Sequence, residues 1–161
     1  IATDIPAEEQ GTGMLFNMDG EVVGMISSSV WNDTGKNVVN AYGISDLKPI
    51  IELLINGKSV PYIGIYGTTV TEQLAEEHKM PSGIYVADVD PDSPAMAAGI
   101  QIGDIICEAS GEEIKDIAAY QNIVIGSSVG ETMEFVGKRL GSDGYVNIKF
   151  SVVTTEKEEV K

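Results

Sequence analysis

Hydroxyl, imidazole, thiol and carboxylate side chains could carry covalent or acid–base chemistry, and this 161-residue chain places few of them in working order. Thr12 stands between glycines in the turn Gln10-Gly11-Thr12-Gly13-Met14-Leu15. A hydroxyl becomes an efficient nucleophile only when a positioned base takes its proton and a third group orients that base. The one histidine, His78, lies far downstream in the polar helical pattern of residues 71–80 and reads as a solvated helix end. Thr12 is therefore expected to be a turn hydroxyl that bonds its own backbone. The one cysteine, Cys107, sits in the apolar run Asp104-Ile105-Ile106-Cys107 and is expected to pack in a strand. A single cysteine forms no intramolecular disulfide and says little about compartment.

Other spacings fail on inspection. Asp88, Asp90 and Asp92 alternate as calcium-loop ligands do, but Ser93 stands where the sharp-turn glycine belongs and Gly99 where the bidentate glutamate belongs. Gly11-Thr12-Gly13 lacks the third glycine of a dinucleotide fingerprint, and Gly35-Lys36-Asn37 lacks the earlier glycine and the hydroxyl of a phosphate loop. Glu8-Glu9, Glu76-Glu77 and Glu112-Glu113 are sequence neighbours, the pattern of a solvated surface rather than of a general acid and base. No metal and no cofactor is expected.

The elements that would position these groups fall into two parts. Asp19-Gly20 is hairpin-turn chemistry between Met14-Leu15 and Val22–Ile26, so residues 14–27 read as a hairpin. The stretch 27–35 is polar and punctuated, and 37–42 returns to strand character. Ser45 or Asp46 can cap the next helix, with Pro49 in its first turn, Ile50, Leu53 and Leu54 as its apolar stripe and Gly57 at its end. Further on, Ser93 can cap a short helix that Gly99 ends in the left-handed conformation, and Gly103-Asp104 turns into a strand. Asp116 caps a helix through Ile125 that stops near Gly126. Residues 132–138 and 145–153 read as two strands joined by the turn-rich 140–144, with Val146, Ile148, Phe150 and Val152 alternating on one face.

Composition narrows the function classes. Apolar residues make up 43% of the chain, enough for a core, and the net charge of −15 repels nucleic-acid phosphates and anionic membrane surfaces. Nucleic acid and lipid are thus poor partners. The first residue is isoleucine, which points to an excised fragment of a longer product.

Two resemblances assign these parts. Residues 3–25, TDIPAEEQGTGMLFNMDGEVVGM, resemble the end of a trypsin-like serine protease of the HtrA family, where a Thr-Asp pair leads to a serine-bearing Gly-Asn-Ser-Gly-Gly turn and a hairpin. Aligned from the hairpin backwards, the nucleophile position falls on Gly11, or on Thr12 when a one-residue deletion is placed after it. The family supplies its catalytic histidine and aspartate from far upstream, so this chain is expected to hold no triad. Asn40 to Ser45 would correspond to the wall of the specificity pocket. Residues 59–153 resemble the PDZ domain attached to such proteases, through Tyr62-Ile63-Gly64-Ile65, Asp92-Ser93-Pro94-Ala95, Ala98-Gly99-Ile100 and Gly103-Asp104-Ile105-Ile106.

The fold this implies is mainly β with α: a partly open, PDZ-like β-barrel with two or three helices, preceded by a remnant of a trypsin-like barrel. The expected organisation is a barrel fragment over 1–45, a linking helix over 46–58, the PDZ domain over 59–155 and a charged tail over 156–161. A PDZ domain adds an extended peptide as a strand to a sheet edge and holds its terminal carboxylate on backbone N–H groups. The resemblance places that loop at Tyr62, Ile63, Gly64 and Ile65, where Gly64 permits close approach and successive N–H groups can form an anion nest. Ile117, Tyr120 and Val124, at spacings of three and four, share one helix face and would line the pocket for the last side chain, with Ala119 and Ile123 on a neighbouring core face. The alternative for Ile63, Ile65 and Ile117 is that they are simply core.

Expected partners are peptide or protein C-termini. The N-terminal strands, too few to close a barrel, are expected to pair with a second copy or fold against the PDZ part. The resemblance implies an extracytoplasmic protein of envelope quality control, secreted or anchored. Three functions stay open: a peptide-binding module without nucleophile, a fragment of an active serine endopeptidase, or a structural module.

Overall fold

The computed structural model describes residues 1, 3, 11–27 and 39–156. Residue 2, residues 4–10, the polar stretch 28–38 and the tail beyond 156 lie outside the described residues, and with them part of the expected strand over 37–42. The chain divides between Asn56 and Gly57 into two compact units.

In the first unit, β1 (Gly13–Phe16) and β2 (Val22–Ile26) form the expected antiparallel hairpin. Its turn is built by local chemistry. The Asn17 side-chain oxygen accepts from the N–H groups of Asp19 at 3.0 Å and Glu21 at 2.9 Å, and Gly20 supplies the positive φ of 82°. The short β3 (Tyr42–Gly43) pairs with β2, and Thr3 and Ile1 bond the backbone of Val39 and Ala41. Among the described residues Ile26, Val39 and Ala41 form the buried cluster, with Leu15 packed against it. Met14 and Phe16, by contrast, are 62% and 60% exposed.

Helix α1 (Ile44–Ile55) begins earlier than the sequence suggests. Its N-cap is Gly43, without a side-chain cap, so neither Ser45 nor Asp46 caps it and Pro49 lies in the helix interior instead of its first turn. The missing Pro49 N–H leaves the Ser45 carbonyl without its helical donor, a cost kept small because Ser45 is exposed to water. Asp46 in the first turn favours the positive end of the helix dipole. The helix stops at Asn56, ahead of Gly57 at φ 66°.

The second unit opens with β4 (Pro61–Tyr62) and β5 (Ile65–Val70), followed by α2 (Glu72–His78), β6 (Gly83–Val89), α3 (Pro94–Ala97), β7 (Ile105–Ala109) and β8 (Glu112–Glu113). Helix α4 (Ile117–Gly126), β9 (Thr132–Gly141), β10 (Gly144–Val153) and β11 (Thr155–Glu156) complete it. Ser93 caps α3, accepting from the Met96 N–H at 3.2 Å, and Gly99 follows with φ 87°; Asp116 caps α4, accepting from the Ala119 N–H at 2.7 Å. The β9–β10 turn is tighter than expected: pairing continues to Gly141 and Gly144, leaving Ser142-Asp143 as a two-residue loop. On β10, burial grows along the strand, from exposed Val146 through half-buried Ile148 and Phe150 to buried Val152.

The sheet runs in the order β10-β9-β7-β6-β5, with β8 beside β7 and a separate β4–β11 pair, an open arrangement within the mainly β, PDZ-like class that the sequence suggests. Its core gathers Ile63, Ile84, Ile106, Met133, Phe135 and Val152. Asp104, which is buried, is held by Arg139 through Nε to Oδ1 at 2.6 Å and Nη2 to Oδ2 at 2.8 Å, and it accepts the Gln101 N–H. Arg139 also donates to the Gly99 carbonyl and thereby fastens the end of α3 to β9.

Candidate functional site

The loop between β4 and β5 is fixed from behind by backbone bonds. The Ile63 carbonyl accepts from the Ala95 N–H at 2.9 Å, and the Gly64 carbonyl from the Asp90 N–H at 2.9 Å. Among the described residues every peptide is trans, and in a trans peptide the N–H points opposite to the C=O. The N–H groups of Gly64 and Ile65 therefore face away from α3 and the Asp90 turn. Gly64 has φ 86°, and a Cβ there would lie 2.3 Å from the Ser93 Cβ, so only glycine fits. The left-handed Cα of Gly64 lies between these two outward N–H groups.

The same bond sets the pairing phase of β5. Ile65 stands opposite Val89, and the Asp90-to-Gly64 bond flanks that pair, which makes it a non-hydrogen-bonded pair. Both the N–H and the C=O of Ile65 therefore turn to the other side, where β5 is the edge of the sheet. The first residue of the edge strand presents a donor and an acceptor to an incoming chain.

Helix α4 is tied to this edge strand by the Ile117 N–H, which donates to Thr69 Oγ1 at 3.0 Å. On α4, Tyr120 and Val124 are buried at 6% and 7% exposure, while Ile117 is half-buried. Ala119 and Ile123, expected on a core face, are half-buried, and Ile123 packs against the core. The side chains of Ile63 and Ile65 are core, so what they offer a ligand is backbone.

The Tyr62 side chain reaches Asp90. Its hydroxyl donates to Asp90 Oδ2, and it lines a separate cleft with Asp92, Ala97, Ser151, Val153 and Glu156. Tyr66 on β5 donates to the same Asp90 oxygen at 2.8 Å. Burial, then the hydrogen bond to Asp90, pushes the Tyr62 phenol well above its ordinary range, and burial, then the neighbouring Tyr62 and Tyr66, does the same for Tyr120. Sequence reasoning missed Tyr66, Thr69 and Asp90. The alternation along β5 hinted at Tyr66, but its partner is 24 residues away.

Thr12 is exposed just ahead of β1, with Gly11 half-buried before it, and His78 is exposed at the end of α2. Cys107 lies half-buried in β7, and burial raises its thiol pKa more than the nearby Lys138 lowers it. No cluster of three metal-ligating side chains occurs among the described residues, and none of their helices is long and apolar enough to cross a membrane.

An open antiparallel sheet with a glycine-centred loop, an edge strand and a helix beside it is a PDZ fold, and the PDZ domain family matches residues 85–139. The chain is 30% identical over 155 residues, 92% of its length, to a probable periplasmic serine endoprotease DegP-like of Halomonas elongata, and covers 32% of that protein. It is 30% identical over 160 residues to the serine protease Do-like HtrA of Bacillus subtilis, covering 91% of this chain and 34% of the relative. A solved structure of the HtrA-type protease AlgW with a decapeptide superposes at a TM-score of 0.57 with 21% identity, over 92% of this chain and 46% of that one, which speaks to fold. The chain carries a PDZ domain, is homologous to the HtrA/DegP serine proteases and resembles the PDZ region of those proteins. It spans about a third of the length of the curated relatives it matches.

Proposed function

We propose that this chain captures C-terminal or extended segments of other proteins by strand addition at β5, as the peptide-binding part of an HtrA-like protein. The observation that carries the reading is the phase of the edge strand: Ile65 directs both backbone groups outward, directly after the outward N–H of Gly64. The carboxylate rests on the loop Tyr62-Ile63-Gly64-Ile65. The last side chain enters between β5 and the Ile117, Tyr120 and Val124 face of α4. Thr69 sets the width of the groove through its bond to Ile117.

Amidating the C-terminus of a peptide that ends in an apolar residue tests the reading. Titration should show affinity weakened by more than about tenfold, or about 1.4 kcal/mol. Equal affinity for acid and amide would remove the carboxylate loop from the account.

Cleavage is not part of this proposal. The nucleophile position is occupied by Gly11 or Thr12, and we read residues 1–45 as a barrel fragment, 46–58 as the link that α1 mostly forms, 59–155 as the binding domain and 156–161 as a charged tail. Relatives named periplasmic endoproteases support an extracytoplasmic location. They also support a second reading, a fragment of an active endopeptidase. In that case casein cleavage by the longer gene product would be lost on Thr12→Ala, or would depend on a residue outside this chain. The exposed Met14 and Phe16 on the edge strand β1 support pairing with a second copy.

A further inference from the structure

This inference rests on the strand-addition reading and concerns which ligand the edge selects. An added antiparallel strand exchanges both backbone bonds with Ile65, because Ile65 turns both groups outward. With a carboxylate at the Gly64 and Ile65 amides, the ligand residue opposite Ile65 is the last one. Side chains alternate between faces, so the last side chain shares the face of buried Ile65 and the one before it shares the face of Tyr66. That second pair is non-hydrogen-bonded, the closer of the two spacings, which brings the side chains together.

The surface that the penultimate side chain meets is specific in chemistry. Tyr66 is 44% exposed, and its hydroxyl is anchored on Asp90. Donation from a phenol to a carboxylate pushes electron density toward the ring and strengthens its attraction for a cation. Asp88, exposed, stands directly opposite Tyr66 on β6. Two carboxylates thus flank the ring, while β5 and residues 83–90 contain no lysine or arginine. We infer that Tyr66, with Asp88 and Asp90, forms a subsite for a lysine or arginine side chain at the residue before the ligand's C-terminus.

The test uses the full chain and peptides that end in valine and differ only in the penultimate residue: arginine, alanine or glutamate. The arginine peptide should bind about tenfold tighter than the glutamate peptide at low salt, with alanine between them. In Tyr66→Ala the ratio should fall below about threefold, and Tyr66→Phe, which keeps the ring and loses the Asp90 anchor, should give an intermediate ratio. Equal binding of arginine and glutamate peptides by the wild-type chain, with the free carboxylate still required, overturns the subsite alone. Binding of none of the three overturns the strand-addition reading and the subsite with it. If Tyr66→Ala does not fold, the wild-type ratio and Tyr66→Phe decide.

Discussion

Arg139 and Asp104 meet through two parallel hydrogen bonds across 35 residues of sequence, and the Asp104 side chain is only 1% exposed. The guanidinium is the more accessible partner, at 33%, and lies over the Phe150 ring. Arg139→Leu would strand a buried carboxylate and release the Gly99 carbonyl. We expect a loss of about 3 kcal/mol, read from urea unfolding. A loss under about 1 kcal/mol would mean that water replaces the guanidinium without difficulty.

Gly64→Ala should be costly twice over. The left-handed backbone strains any Cβ, and this one would collide with Ser93 and the Tyr62 hydroxyl. Destabilisation of about 2 kcal/mol or more is expected, together with loss of peptide affinity at temperatures where the variant is still folded. Retained affinity would separate the loop conformation from binding.

Tyr120 links stability to alkaline pH. Its phenol is held above the ordinary value of 10.0 by burial first, then by Tyr62 and Tyr66. A raised folded-state pKa contributes stability that is complete below the unfolded value and is lost as pH rises toward the folded one. Urea midpoints should therefore fall above about pH 10. The fall should be shallower in Tyr120→Phe, and identical slopes in the two proteins would argue against it.

The exposed edge of the first unit makes a prediction about assembly. Phe16→Glu places a charge on β1 and should shift a self-associating chain toward monomer in sedimentation, with peptide affinity unchanged. A wild-type monomer over the whole concentration range would remove the pairing proposal.

Much of this was legible from local chemistry. The hairpin at Gly20, the caps at Ser93 and Asp116 and the stop at Gly99 all lie where the sequence puts them, because each depends on residues within one turn of chain. The start of α1 is not legible locally, because Pro49 suggests a first turn and nothing nearby announces that Gly43 takes the N-cap position without a side-chain bond. Nonlocal relations were out of reach. The anchoring of Tyr66 on Asp90, the tie from Thr69 to Ile117 and the pairing phase of β5 each join elements separated by long stretches of chain. Motif order therefore pointed to the loop of residues 62–65 and to the helix from Asp116, while the contacts of Tyr66, Thr69 and Asp90 were out of its reach.

The pairing of Thr155–Glu156 with Pro61–Tyr62 places the two ends of the binding unit on adjacent strands. A module whose incoming and outgoing chains leave side by side can be spliced into a loop, duplicated in tandem or transplanted to another host without spanning peptides on either flank. The same closure makes the junction a point of mechanical weakness. Tension applied through both ends would open a two-residue ladder first, and the strand it frees is the one that leads straight into Ile63 and Gly64.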